Sequence, residues 1–136
     1  MKTKTKSEQL KELYIDCGLV QEDVHKHKHY VIITRGGIEK IEYAKGIKVE
    51  FEIVRCEPEY CAVKAIGTMG DEVIQTFGSA YPKNCQNNYY LEMAEKRALS
   101  RVVLKLTKAY SLNVKGEDEA DDFKRPVNNG SYAVRS

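Results

Sequence analysis

Four basic residues, Arg97, Arg101, Lys105 and Lys108, follow one another at spacings of four, four and three. At about 100° per residue that spacing gathers them on one stripe of a helix. Cations in such a row can neutralise successive phosphates of a nucleic acid and release its counterions. An ordinary solvated helix face has the same spacing. Lys96 adjoins the stripe, and Tyr89 and Tyr90 stand at the head of the same segment, where they could stack bases or close a core. Lys40 and Lys83 are further candidate phosphate contacts on the flanking segments. In Thr34-Arg35-Gly36-Gly37 a turn opens a helix, so its backbone N–H groups could face an anion. That turn lacks the lysine and spacing of a phosphate-binding P-loop, and no nucleotide site is expected there.

Other reactive side chains point less clearly. His25, His27 and His29 alternate with lysines, and on a strand the three imidazoles would share one face. That pattern could hold zinc or nickel; without a nearby carboxylate, a polar strand edge or extra phosphate contacts is the better reading, and no metal is expected. Cys17, Cys56, Cys61 and Cys85 show no Cys-x-x-Cys spacing, the pairing a tetrahedral zinc site needs, so they read as free and mostly buried thiols. No Gly-x-Ser-x-Gly, no His-Glu-x-x-His and no compact carboxylate cluster appears before residue 117. The expectation is a binding protein rather than an enzyme, with no catalytic residues and no cofactor.

The elements that must position these residues follow from periodicity. Leu10, Leu13, Tyr14 and Cys17 recur at helical spacing and Gly18 stops the turn, which predicts a short amphipathic helix. Tyr30 to Ile33 reads as a strand, Thr34 as an N-cap, and Ile38 and Ile41 as the apolar side of a helix that Gly46 ends. Alternation from Ile47 to Val54, the breaker Glu57-Pro58-Glu59, a run from Tyr60 to Thr68, the turn Gly70-Asp71 and a run from Glu72 to Ala80 predict three antiparallel strands in meander order. From about Tyr89 to Tyr110 a long helix carries Ala98, Leu99, Val102, Val103, Leu106, Ala109 and Tyr110 on one broad face, with the basic stripe beside it and Glu95 projecting toward the apolar arc. The fold class expected is therefore α+β, a three-stranded meander packed by a long C-terminal helix.

Its 136 residues suffice for one modest core. The expected organisation is an N-terminal arm and short helix over 1–27, a binding core over 28–115 and an acidic flexible tail over 116–136. Of 22 basic and 20 acidic residues, three and five lie beyond residue 115, so the body carries 19 against 15. A basic body followed by an acidic tail suits a polyanion binder that screens itself, although a solvated charged surface has the same composition. No run approaches the roughly 20 apolar residues of a membrane span, and the charged start has no apolar region behind it, so neither a membrane partner nor a secretory signal is expected.

The order of elements and two short motifs resemble the Rad fifty-two superfamily, which includes small phage-encoded single-strand annealing proteins. Tyr30-Val-Ile-Ile-Thr-Arg-Gly-Gly-Ile-Glu-Lys-Ile41 is similar to the family's strand, basic turn and following helix, and Met93-Ala-Glu-Lys-Arg-Ala-Leu99 to its last helix. The resemblance spans roughly residues 28–115. It implies a single-stranded DNA-binding protein of phage-type recombination or replication in the bacterial host cytoplasm, promoting annealing as a homo-oligomeric ring or filament. It also implies that Arg35, Lys96 and Arg97 contact phosphates at an inner groove, with Arg101 and Lys105 in support; position 100 is Ser100 where the family has a further arginine. The exposed edges of a three-stranded sheet would let neighbouring copies pair. The run ending Ala120-Asp-Asp-Phe123 is similar to the acidic tails of bacterial single-strand-binding proteins, which implies replication or recombination proteins as partners. Three alternatives stay open: a double-stranded RNA-binding module, whose α-β-β-β-α order is the same; a metal-dependent phage nuclease using the histidines; and an interaction domain whose basic stripe meets an acidic protein.

Overall fold

In the computed structural model, residues 4–85 and 87–119 are described. Helix α1 (Lys6–Cys17) is opened by Thr5, whose side chain accepts from Glu8 N–H while Glu8 reaches back to Thr5 N–H, and Gly18 closes it in the left-handed region at φ 70°. Strands β1 (Val24–Lys26) and β2 (Val31–Ile33) precede helix α2 (Arg35–Ala44). Thr34 caps α2 by accepting from Gly37 N–H. Strands β3 (Lys48–Glu57), β4 (Tyr60–Met69) and β5 (Glu72–Ala80) form an antiparallel meander, and the long helix α3 (Tyr90–Leu106) packs against it. The α+β class and the meander with its covering helix are thus as the periodicity predicts.

Alternation along β4 decides which face is inside. Cys61, Val63 and Ala65 are buried and Lys64 and Ile66 are half-buried, so the odd-numbered side chains meet α3. At the contact, small residues let the layers approach closely. A Cβ on Gly78 of β5 would overlap Ala94 O and lie 2.6 Å from Ala98 N, and one on Gly67 of β4 would lie 2.7 Å from a Val102 methyl. Thr76 Oγ1 donates to Ala98 O at 2.7 Å, which satisfies the buried hydroxyl. Replacing Gly78 by alanine should therefore force α3 off β5 and cost about 3 kcal/mol, at the upper end of overpacking costs because helix backbone blocks the way. Urea denaturation measures it, and an unshifted midpoint would show that the helix is not seated there.

Two cores result. One joins Leu13 and Cys17 of α1, Ile33, Ile38, Ile41 and Ile47 with Ala98, Val102, Val103, Leu104 and Leu106 of α3. The other joins Cys61, Val63, Ala80, Cys85, Met93 and Ala94, with Tyr90 against it. Because α3 lies over β4 and β5 and barely reaches β3, Ile53 (61% exposed) remains open on the strand it does not cover.

Several expectations change. The helix stops at Leu106 rather than running to Tyr110, because Lys108 turns into the left-handed region at φ 69°; Lys108 leaves the stripe and meets Glu72 instead. Glu95 is exposed and does not point into the core. Residues 116–119, the start of the expected tail, are held in place. Strand β6 (Val114–Gly116) runs parallel to β2, in the pairs Val31 with Val114 and Ile33 with Gly116, and completes a second sheet in the order β1-β2-β6. Val114 is fully buried, and Gly116 sits where a Cβ would strike Ser100. The remainder of the expected tail, residues 120–136, lies outside the described residues.

Candidate nucleic-acid interface

The second sheet brings two distant segments together. With β6 fixed beside β2, the chain leaving β6 passes the start of α2, and Glu117, Asp118 and Glu119 form a short turn there. Arg35 N–H, the first backbone donor of α2, donates to Glu117 Oε1 at 2.6 Å. A helix start leaves such N–H groups unpaired and carries partial positive charge, so a carboxylate is a natural occupant. Arg35 Nη2 meets Asp118 Oδ1 at 2.9 Å, and that carboxylate raises the Arg35 pKa further above its ordinary value.

On the α3 side, Arg97 and Arg101 reach toward the same turn. Arg97 Nε donates to Asp118 O at 3.1 Å, Nη1 to Ser79 O at 2.8 Å and Nη2 to Asn84 O at 2.5 Å. Arg101 Nε and Nη2 bracket Glu119 Oε1 at 3.0 and 2.9 Å, and its Nη1 donates to Phe77 O at 2.6 Å. Arg35 and Arg101 keep part of their guanidinium surface accessible, at 44% and 33% side-chain exposure. Arg97 does not: it is 2% exposed, the bulkiest fully enclosed side chain of the described residues. The expected place for Arg97, at the margin of the apolar arc, is corrected accordingly. Its fork is aimed at the backbone carbonyls of Asp118, Ser79 and Asn84.

Placement divides the remaining candidates. Lys40 is tied to Asp23 at 2.7 Å, and this hydrogen bond, with one from Val20 N–H, holds the Asp23 carboxyl below its usual range. Lys96 is half-buried on α3 and Lys83 is exposed in the turn Pro82–Asn84. Lys105 stands 5.4 Å from the centre of the Tyr110 ring. The two tyrosines part company: Tyr89 is 64% exposed and open to a ligand, whereas Tyr90 packs against the second core. Of the histidines only His25 lies in a strand; His27 stacks on Tyr30 with ring centres 4.6 Å apart. Among the described residues no three His, Cys, Asp or Glu side chains are grouped to hold a metal ion.

The acidic residues of the site were the part that composition alone could not place. Val114-x-Gly116 directly before the run is the one signal for them, an apolar residue and a residue without a side chain, spaced as on one face of a strand. Chemically the arrangement is an oxyanion site already filled from within the chain: a helix start and two accessible guanidiniums, holding three consecutive acidic residues. No helix among the described residues is long and apolar enough to cross a membrane. Comparison of the chain with protein-family models, with curated proteins and with solved structures finds no match.

Proposed function

We propose that the protein binds single-stranded DNA without catalysing a reaction, as an oligomer of the strand-annealing kind that residues 28–115 resemble. The observation that carries this reading is the convergence of Arg35 and Arg101, sixty-six positions apart in the chain, on one row of carboxylates beside the α2 start. Carboxylate oxygens held by a helix start and by guanidinium forks occupy the positions that phosphate oxygens would take. Lys96, Lys105, Lys83 and the exposed Tyr89 extend the surface along α3, cations for the backbone and an aromatic ring for a base. Glu117, Asp118 and Glu119 then act as an internal competitor, so binding proceeds by exchange of carboxylate for phosphate and is steeply dependent on salt. A role in phage-type recombination or replication, in the bacterial cytoplasm and with partner proteins recruited by the acidic run, belongs to the same proposal.

A second reading is favoured by one observation, the consecutive order α2-β3-β4-β5-α3 with α2 touching α3, which is that of double-stranded RNA-binding modules. The β3–β4 turn, Glu57-Pro58-Glu59, is acidic where such a module would face phosphates, which argues for the single strand.

Fluorescence anisotropy with labelled single-stranded DNA, competed by duplex DNA and duplex RNA over a salt series, separates them. Single-stranded DNA should win. Arg35→Ala combined with Arg101→Ala should weaken binding and lower the slope of log affinity against log salt by about 1.4, roughly 0.7 for each phosphate that is no longer neutralised. No affinity at low salt would overturn the proposal, as would a folded double variant with an unchanged slope; preference for duplex RNA would establish the second reading.

A further inference from the structure

Cys56 and Cys61 are direct cross-strand partners on β3 and β4, one pair before the turn that joins the strands. Their sulfurs are 3.2 Å apart. Opposed residues of an antiparallel pair have Cα separations of about 4.5–5.5 Å, inside the range of about 4.4–6.8 Å that a disulfide spans. Their surroundings differ sharply: Cys56 is exposed on the outer strand, while Cys61 is 3% exposed in the second core. Burial, with the Cys56 thiol beside it, pushes the Cys61 thiol above its ordinary pKa. Between Ile53 and Arg55 the register shifts by a bulge, so the distal arm of the hairpin, which carries Cys56, can adjust independently of the strand before it. Cys17 and Cys85 have no such partner: both are buried, and Cys85 Sγ donates to Asn87 Oδ1 at 3.4 Å.

We propose that Cys56 and Cys61 form a redox-active dithiol that reacts with small disulfides of the glutathione class and closes into a reversible cross-strand disulfide. Exposure assigns the roles. The Cys56 thiolate attacks one sulfur of the small disulfide; that S–S bond breaks, and the other half leaves as a thiolate with the electron pair. Cys61 then gives up its proton to the departing thiolate and attacks Cys56 Sγ, and the second half leaves as a thiolate with the electron pair, taking up the proton that Cys56 released to solvent. In balance, two protein thiols become one disulfide and one small disulfide becomes two thiols. Such reversible bridges are the usual form of disulfide in reducing compartments, where they report on redox state. This site is remote in sequence from the arginine cluster and stands whether or not the chain binds DNA.

The test incubates the full chain with oxidised glutathione and follows free thiols, intact mass and linked peptides. Two of the four thiols should disappear with no glutathione retained, the peptides of Cys56 and Cys61 should be joined, and dithiothreitol should restore both. Cys61→Ser should stop at a single glutathione adduct on Cys56, and Cys56→Ser should leave Cys61 unreacted. Four intact thiols in the full chain would overturn the proposal, as would glutathione persisting on Cys56 or a bridge from Cys61 to Cys85. Because mapping of the unsubstituted chain is decisive by itself, the proposal remains falsifiable even if neither variant folds.

Discussion

Arg97→Ala should lower the stability of the protein by about 3–5 kcal/mol, through the loss of a buried guanidinium's charge-assisted hydrogen bonds. Three backbone carbonyls, of Ser79, Asn84 and Asp118, take hydrogen bonds from this one guanidinium. Each bond to a charged donor contributes about 1.5–3 kcal/mol, and the contributions overlap because the same fork makes all three. Alanine would also leave a side-chain-sized void between α3, the end of β5 and the 117–119 turn. Domains are commonly stable by only about 5–15 kcal/mol, so the variant should melt at least roughly 10 °C lower. Thermal unfolding followed by circular dichroism checks this. A melting point within two or three degrees of the parent would mean that Arg97 is a dispensable surface cation, and would return it to the DNA-binding set. Pairing it with Lys96 in one alanine double mutant therefore cannot report on binding alone.

Ending the chain at Lys115 should have a larger effect still, with loss of cooperative unfolding. The cut removes Gly116, which pairs with Ile33 and packs on Ser100, and with it the Glu117 carboxylate on the α2 start and the Asp118 carbonyl on Arg97. It also strips both carboxylates from Arg35 and Arg101, leaving partly buried guanidiniums without counter-charge. A chain ending at Glu119 keeps these interactions and should unfold cooperatively. Comparing the two by denaturant titration and near-ultraviolet circular dichroism decides the matter; equal, sharp transitions would restore the reading of residues from 116 on as a dispensable tail. It follows that a gain in DNA affinity on cutting at 115 would be uninterpretable as relief of screening, since the site would be dismantled by the same cut.

What could be read in the sequence was what repeats within a few residues. Leu10, Leu13, Tyr14 and Cys17 mark α1, alternation marks β3 to β5, and Thr34 marks the start of α2 because its hydroxyl caps it. The short strand β6 escapes, since it is secured by a parallel partner more than eighty positions away rather than by any local pattern. For the same reason helical spacing put Arg97 and Arg101 on a basic stripe without revealing what lay opposite. Periodicity ranks Arg97 with its neighbours, and only the position of Asp118, Ser79 and Asn84 turns it inward. Lys108 shows the converse, because a stripe drawn on an ideal helix continues past the point where the backbone leaves it.

The hydrogen bonds of Arg97 and Arg101 to Ser79 O and Phe77 O also determine how the meander can grow. These are alternate carbonyls of β5, an outer strand whose neighbour in the sheet is β4, and alternate carbonyls on one side of a strand are what an incoming strand must bind. With both taken by side chains of its own helix, the C-terminal end of that margin is obstructed, whereas β3 on the far side is exposed along nearly its whole length. A strand added to this sheet would therefore meet less obstruction along β3 than at the end of β5.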